Sequence, residues 1–268
     1  MSDVSDWWRT AIIEMQPGQI KLRGHPIENL IDQVSMTEMI WLMTTGSLPS
    51  QAQKRLLNAA LVAAVDHGPQ APSIAVARMA ITCGVGINSA LASGVNTLGD
   101  IHGGAGEQAL SLYLEIRDSL DQGTPLQRAV DETLASYRER QGVHIPGFGH
   151  RFHKPTDPRA APLMAVLRAT AEEDAQIDGR FALIAETIQS ELSHGRTQGI
   201  AMNIDGATAA IYGSLGVDPT LARGLFCLSR SVGLVAHAYE QAMQGGRNKG
   251  PTPPDYRWTY DDPNASST

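Results

Sequence analysis

Apolar residues recur at three- and four-residue spacing along most of this chain, which predicts a mostly helical protein. Ser35-Met36-Thr37-Glu38 has the S-x-x-E spacing of a capping box and leads an apolar stretch to Met43; Gly46, with Pro49 just beyond, marks its end. The small-residue run Ile74 to Leu98 predicts two closely packed helices broken at Gly84 and Gly86. From Gly106 to Leu120, Ala109, Leu110, Tyr113, Leu114 and Ile116 hold a 3.6-residue period. Further helices are predicted over Leu126–Glu139, Ala161–Asp174, Phe181–Glu191, Thr208–Leu215 and Leu221–Met243, the last introduced by Pro219. Strand signals are confined to a short pair around Gln19–Arg23. The proline-rich tail after Gly245 reads as irregular and ends in a polar Asn-Ala-Ser-Ser-Thr. No internal repeat or low-complexity block interrupts the pattern.

Length and charge narrow the function. The 268 residues can bury a large core. A formal net charge of −7 argues against a nucleic-acid partner, because phosphate neutralisation needs a basic face. No apolar run is long enough to span a bilayer, and Met1 to Arg9 has no apolar segment behind a basic start. The expectation is a cytoplasmic protein without a membrane partner. Two distant cysteines, Cys83 and Cys227, in small or apolar surroundings are expected to be buried, reduced thiols. The eight histidines lack metal-ligand spacing, so no metal is expected.

Three glycine-flanked segments carry candidate chemistry. His102 precedes Gly103-Gly104 at the mouth of a predicted helix, where free amides and the helix dipole lower a histidine's pKa. A neutral imidazole donating a hydrogen bond suits polarising a carbonyl into an enol; a histidine that merely caps the Gly-Gly turn is the alternative. His150 lies in the glycine-rich loop Pro146-Gly147-Phe148-Gly149-His150-Arg151, followed by Lys154 and by Asp157-Pro158-Arg159. An arginine fork suits a carboxylate and a lysine suits a phosphate, although an ordinary basic surface loop reads the same way. Asp205, among Met202, Ile204 and Ala207, suits proton abstraction from carbon if burial raises its pKa. It also stands where a helix N-cap would, before Gly206-Ala207-Thr208. Arg230, inside an apolar helix, needs a buried acid or a ligand carboxylate. His67, in Asp66-His67-Gly68, ends an apolar helix and reads equally as a cap. His25, His144 and His194 look incidental, His153 exposed and His237 packed.

Taken together, these segments resemble the citrate synthase superfamily along nearly the whole chain. Arg23 to Leu30 resembles the family's RGYPIEEL, Trp41 to Pro49 its L-x-x-G-E-L-P, and Asp66-His67-Gly68 its DHG. His102 falls in HGGA, His150 in GFGHR, Arg159 in DPR, Asp205 in N-V-D, and Phe226 to Gly233 in L-x-R-x-V-G. The short stretch between the LPS and DHG elements is similar to the short citryl-CoA lyases and to the citrate synthase-like module of ATP citrate lyase.

The resemblance implies an all-α fold with a large helical domain, a smaller helical domain and a cleft between them. The large domain is expected over 1–102 and 231–268 with a homodimer interface, and the small domain over 103–230. It implies a CoA-thioester carbon–carbon lyase cleaving citryl-CoA to acetyl-CoA and oxaloacetate, or the related citrate synthase. A non-catalytic acyl-CoA-binding or regulatory subunit is the reading from another class.

By resemblance, His102, His150 and Asp205 are catalytic, and His67, Arg159 and Arg230 hold the 2-oxo acid. Pro146, Gly147, Phe148, Gly149 and Lys154 contact CoA, which enters as a thioester substrate; no tightly bound cofactor is implied. One departure stands out. Gly250 occupies the position of a family tail arginine, with Arg247, Lys249 and Arg257 as nearby substitutes.

Overall fold

The structure, a computed structural model, describes residues 7–263. The expected polar end at 264–268, and most of the segment from Met1 to Arg9, lie outside the described residues. The chain divides into two compact units, one of Met1–Ala63 with Gly106–Ala222 and one of Ala64–Ala105 with Arg223–Thr268. The N-terminal elements thus group with the middle of the chain. The segment joining the units on the N-terminal side is α3 (Gln51–Ala64).

The first unit opens with a three-stranded antiparallel sheet, β1 (Ile13–Gln16), β2 (Gln19–Leu22) and β3 (His25–Pro26). The sequence signal covers β2 alone, because these strands are too short to show alternation. Ile13 pairs with Leu22 across a Pro17-Gly18 turn, which closes the first hairpin. After α1 (Ile27–Leu30), α2 (Met36–Thr45) begins with the expected capping box. The Ser35 side chain accepts from the Glu38 N–H, and the Glu38 carboxylate accepts from the Ser35 N–H at 2.8 Å. The helix ends on Gly46 in the left-handed region (φ 94°). Arg23, in the hairpin, donates through Nε and Nη2 to the Met43 carbonyl at 3.2 and 2.7 Å. An unpaired carbonyl in the last turn of α2 thereby gains a charged donor, which gives the Arg23-to-Leu30 motif a structural task.

The rest of the first unit is α6 (Ala105–Asp121), α7 (Leu126–Gln141), α8 (Ala160–Glu173), α9 (Arg180–Ser193) and α10 (Ile204–Ser214). Ala109, Leu110, Tyr113 and Ile116 form the buried stripe of α6, as their period predicts. By contrast α10 is buried on every side, from Gly206 to Ser214, and packs against α8 and α9. Its sequence of small and apolar residues permits this. Gly213 is part of the reason, since a Cβ there would overlap the fully buried Phe181 ring of α9.

The second unit contains α4 (Pro72–Thr82), α5 (Ile87–Val95) and α11, which spans Pro219–Gln244 and enters this unit at Arg223. The break between α4 and α5 falls at the expected glycines, with Gly84 at φ 90°. Ala71, Ile74, Ala77 and Leu234 form a buried cluster, against which Leu91 and Val95 pack. Gly94 lets α5 approach closely, because a Cβ there would lie 2.6 Å from Leu234 Cδ2 and 2.9 Å from the Ser73 carbonyl. Cys83 and Cys227 are free, as expected, yet Cys83 is exposed and Cys227 only half-buried. Cys83 sits at the C-cap of α4, where the chain turns outward, so its apolar neighbours in sequence do not cover it. Among the described residues no helix is long and apolar enough to cross a membrane.

Replacing Gly213 with Ala should destabilise the first unit by about 1–3 kcal/mol through overpacking against Phe181. Urea unfolding should show a lower midpoint with an unchanged slope.

Candidate functional site

Three of the singled-out segments converge on one end of α10. The first turn of a helix carries amides without intrahelical partners, and here that end is largely buried, so each needs an acceptor. Asn203 is the N-cap: its Oδ1 accepts from Asp205 N–H at 2.9 Å and Gly206 N–H at 3.2 Å. The Asp157 carboxylate accepts from Ile204 N–H at 3.1 Å. The Asn203 carbonyl takes Ala207 N–H in the ordinary helical way, at 3.1 Å. The cap position is therefore filled by Asn203, and Asp205 stands in the first turn of the helix, which begins four residues earlier than its periodicity suggests.

The same residues bind the histidine loop. Gly147 carbonyl accepts from Asn203 N–H at 3.0 Å, Gly149 N–H donates to Ala201 carbonyl at 2.7 Å, and Asn203 Nδ2 donates to Gly149 carbonyl at 2.7 Å. Phe148 and Met202 form an antiparallel bridge. This pairing brings backbone against backbone. A Cβ on Gly147 would lie 2.7 Å from Gly206 Cα, and a Cβ on Gly206 would lie 2.5 Å from Gly147 carbonyl. Glycine is needed in both motifs for one reason: two chains pass with no room for a side chain. Gly147 also has φ 86°, where other residues are strained.

His150 Nδ1 accepts from the amides of Phe152 and His153, at 3.0 and 2.9 Å. Two N–H groups aimed at Nδ1 leave the neutral ring's proton on Nε2. The ring stacks on His153, centroids 4.5 Å apart. His153 is half-buried, contrary to its expected exposure, because it folds back beneath His150. Both rings line a cavity of about 210 Å³ with Gly149, Lys154, Asp157 and residues 198–202. Of the residues expected to contact CoA, Gly149 and Lys154 border this space, while Pro146 and Gly147 are buried beside α10. The 198–202 segment escaped the sequence analysis. Its glycine at 199 was a usable signal, but only the pairing with the histidine loop brings it to the cavity.

Arg159 is turned toward Asp157, with Nε to Oδ1 at 2.9 Å and Nη2 to Oδ2 at 2.8 Å. Burial raises the Asp157 pKa, but the bonds from Arg159, its charge and the Ile204 amide outweigh that and bring it down to about 2. The carboxylate therefore orients the arginine while it caps α10. Tyr113, on α6, reaches the same place: its buried hydroxyl donates to Gly206 carbonyl at 3.3 Å, and its ring lies 6.5 Å from Phe148. Burial, and then the charge of Asp205, raise its pKa, so it stays a neutral donor. In the sequence Tyr113 reads only as core.

The second unit holds His67, His102 and Arg230. His102 is fixed by the first turn of α4, where its Nε2 accepts from Ser73 N–H at 3.2 Å and lies 3.0 Å from Ser73 Oγ. An acceptor Nε2 leaves the proton of the neutral ring on Nδ1. Burial, then the charges of Arg230 and His67, lower the His102 pKa. The neutral state expected from the sequence thus holds, although burial and cationic neighbours supply its physical cause. Gly103 and Gly104 allow the tight turn: Cβ atoms there would lie 2.9 Å from the Phe226 ring and 2.7 Å from Asp100 Cα.

Arg230 is buried, donates through Nε to Ala64 carbonyl at 3.3 Å and lies over the Phe226 ring at 5.1 Å. His237 is tied at both nitrogens. Nδ1 meets Arg78 Nη1 at 3.0 Å, and Nε2 lies 3.2 Å from Asp66. It holds the Asp66-His67-Gly68 turn, in which Asp66 accepts from Gly68 N–H at 3.0 Å.

The helical architecture and these glycine-histidine elements define a citrate synthase-like protein. Residues 50–251 match the family profile described as citrate synthase, C-terminal domain, and the chain belongs to the citrate synthase family. The citrate synthase of Haloferax volcanii is 29% identical over 201 residues, covering 74% of this chain and 49% of that enzyme. The citrate/2-methylcitrate synthase of Bacillus subtilis is 30% identical over the same length, covering 74% and 50%. The chain thus spans about half the length of these curated relatives. The solved structure of citryl-CoA lyase from Hydrogenobacter thermophilus superposes with a TM-score of 0.81 at 30% identity, covering 96% of both chains. ATP citrate lyase from Methanothrix soehngenii, solved with citrate and coenzyme A, shares the fold over 96% of this chain and 42% of that one, with a TM-score of 0.75 at 21% identity.

Two outcomes test the site. In nitrogen-15 NMR, His102 should carry its proton on Nδ1 and His150 on Nε2 near neutral pH, with His102 titrating below the ordinary histidine value of about 6.5. Because the folded pKa of His102 is lowered, the unfolded chain binds its proton first; stability falls as pH drops from about 6.5 toward the folded value.

For Asp157 the lowered pKa gives stability that is present above about 4 and is lost as pH falls toward 2, about 2 kcal/mol in all. Asp157→Asn should cost about 3 kcal/mol in urea unfolding by leaving Arg159 without its counter-ion. It should also flatten the acid limb of stability between pH 4 and 2.

Proposed function

We propose that this protein is a CoA-thioester carbon–carbon lyase that cleaves citryl-CoA to acetyl-CoA and oxaloacetate. What carries this reading is the hydrogen-bond geometry: two histidines, each with one ring nitrogen held as an acceptor by main-chain amides, accompany a carboxylate in the first turn of a buried helix. Enol chemistry beside a thioester needs such a set, one donor for the thioester oxygen, one group for the hydroxyl proton and one base for carbon. The likeness to a citryl-CoA lyase over 96% of both chains supports cleavage as the working direction.

The proton on His102 Nδ1 donates to the thioester oxygen and stabilises the enol as the carbon–carbon bond breaks. Cleavage starts from the His150 ring with Nε2 unprotonated, the anion that the two main-chain amides at Nδ1 stabilise. Nε2 takes the proton of the citryl hydroxyl, which becomes the oxaloacetate carbonyl, and the ring ends in its neutral Nε2–H form. Asp205 returns a proton to the terminal carbon of the enol, giving acetyl-CoA. Condensation is the same path reversed, and the two groups then exchange protons in the opposite sense. Arg159, oriented by Asp157, together with Arg230 and His67 serves the carboxylates of the oxo acid. Gly149 and Lys154 serve CoA, the lysine through a phosphate. Coenzyme A is a substrate in this scheme, and the working form is a cytoplasmic homodimer.

The curated relatives are named citrate synthases, so condensation with thioester hydrolysis is the second reading. Gly250 bears on it, because a missing arginine weakens the hold on one carboxylate; such a contact is worth roughly 2–5 kcal/mol.

Purified protein given citryl-CoA should release oxaloacetate and acetyl-CoA with no free thiol. Free thiol with citrate would transfer the assignment to a synthase, and neither product would refute both. Asp205→Asn should lower kcat by at least about a hundredfold while CoA binding persists. Undiminished turnover in that variant would remove Asp205 from the mechanism.

A further inference from the structure

We propose that the second unit carries a separate binding site for a short-chain acyl carboxylate, built by α4, the end of α11 and residues 249–251. A cavity of about 370 Å³ lies there, within the size range of small-molecule sites. Neither His67, His102 nor Arg230 lines it. Its wall is apolar, formed mainly by Pro69, Pro72, Val76, Met79 and Pro251.

One polar group in this wall lacks an answer among the described residues. Gln241 is 2% exposed, and its Nε2 has no hydrogen-bond partner. A buried amide left so has lost its water without replacement, so the position calls for an acceptor. Lys249 lies alongside. The point where a Gly246 Cβ would sit is 3.2 Å from Gln241 Nε2 and 2.9 Å from Lys249 Cδ. The absent side chain at 246 therefore lets the lysine stem pass next to the amide. The lysine backbone is anchored by its own N–H, which donates to Thr82 Oγ1 at 3.0 Å.

Charge selects the ligand. Among the described residues no aspartate or glutamate borders the cavity. Arg78, the other cation at its rim, is already occupied by Glu240, Gln244 and His237. The lysine ammonium and the Gln241 N–H are thus the donors left for a guest. An amide donor, one ammonium and an apolar wall complement a monoanion with a short alkyl chain. One carboxylate oxygen accepts from Gln241 Nε2, the carboxylate pairs with Lys249, and the alkyl part lies on Val76 and Met79. Inorganic phosphate offers nothing to the apolar wall, and a neutral alcohol offers nothing to the lysine.

The test is a titration of the whole protein, labelled with carbon-13 in its methionine methyls, with sodium butyrate and in parallel with n-butanol. The Met79 resonance is assigned with Met79→Leu. Butyrate should shift the Met79 methyl saturably, and n-butanol should bind at least about fivefold more weakly, a factor equivalent to ~1 kcal/mol. Lys249→Gln, an exposed substitution, should weaken butyrate by a similar factor, and Gln241→Leu should abolish the saturable shift. A Met79 shift that does not saturate, equal binding of alcohol and acid, or undiminished butyrate binding by Lys249→Gln would each overturn the proposal. If Gln241→Leu fails to fold, the lysine variant and the alcohol comparison still decide it.

Discussion

The buried N-terminus of α10 is the constraint on which the first unit depends. A helix end taken away from water must find acceptors for its first amides, and here they come from Asn203 and Asp157. Each acceptor has a second attachment. Asn203 clasps the histidine loop through Gly147 and Gly149, and Asp157 grips Arg159. Capping the helix, placing His150 and aiming Arg159 are thus one hydrogen-bonded arrangement. The glycines at 147 and 206 are what allow two backbones to meet closely enough for it to form.

In the second unit a comparable economy governs the histidines. His102 takes its orientation from the start of α4, and its neutral state follows from burial beside Arg230 and His67. Arg230 in turn rests on Phe226, the ring that also closes over Gly103. His237, far along α11, holds the turn that carries His67 by pairing with Asp66. Residues with no direct chemical duty therefore set the protonation and position of those proposed to have one. Much of the motif character of this family is legible as backbone accounting. The aspartate of Asp-Pro-Arg and the asparagine of Asn-Ile-Asp-Gly are acceptors for amides that would otherwise be buried unpaired.

Helices with a clear stripe, such as α6, were legible from periodicity, and so were the capping box at Ser35 and the glycine break between α4 and α5. α10 was harder, because a helix buried all round has no stripe, and its start depends on an acceptor 47 residues away in sequence. The sheet was mostly missed, its strands being too short to display alternation. His102, His150 and Asp205 were chosen by their glycine neighbours and by resemblance. Tyr113 carries no local mark that sets it apart from core, and the 198–202 segment carries only its glycine at 199.

By itself the sequence determined the helical class, the family and its glycine-flanked segments, because periodicity and such motifs are local properties of a chain. Tertiary structure decided which nitrogens of His102 and His150 accept from main-chain amides, that Asn203 and not Asp205 caps α10, and that Asp157 orients Arg159. It also decided that the cysteines are not buried and that Gln241 faces a cavity without a partner. These outcomes depend on which amides, charges and apolar walls meet across long stretches of chain. Hydrogen-bond satisfaction and desolvation are properties of those meetings, and no window of neighbouring residues contains them.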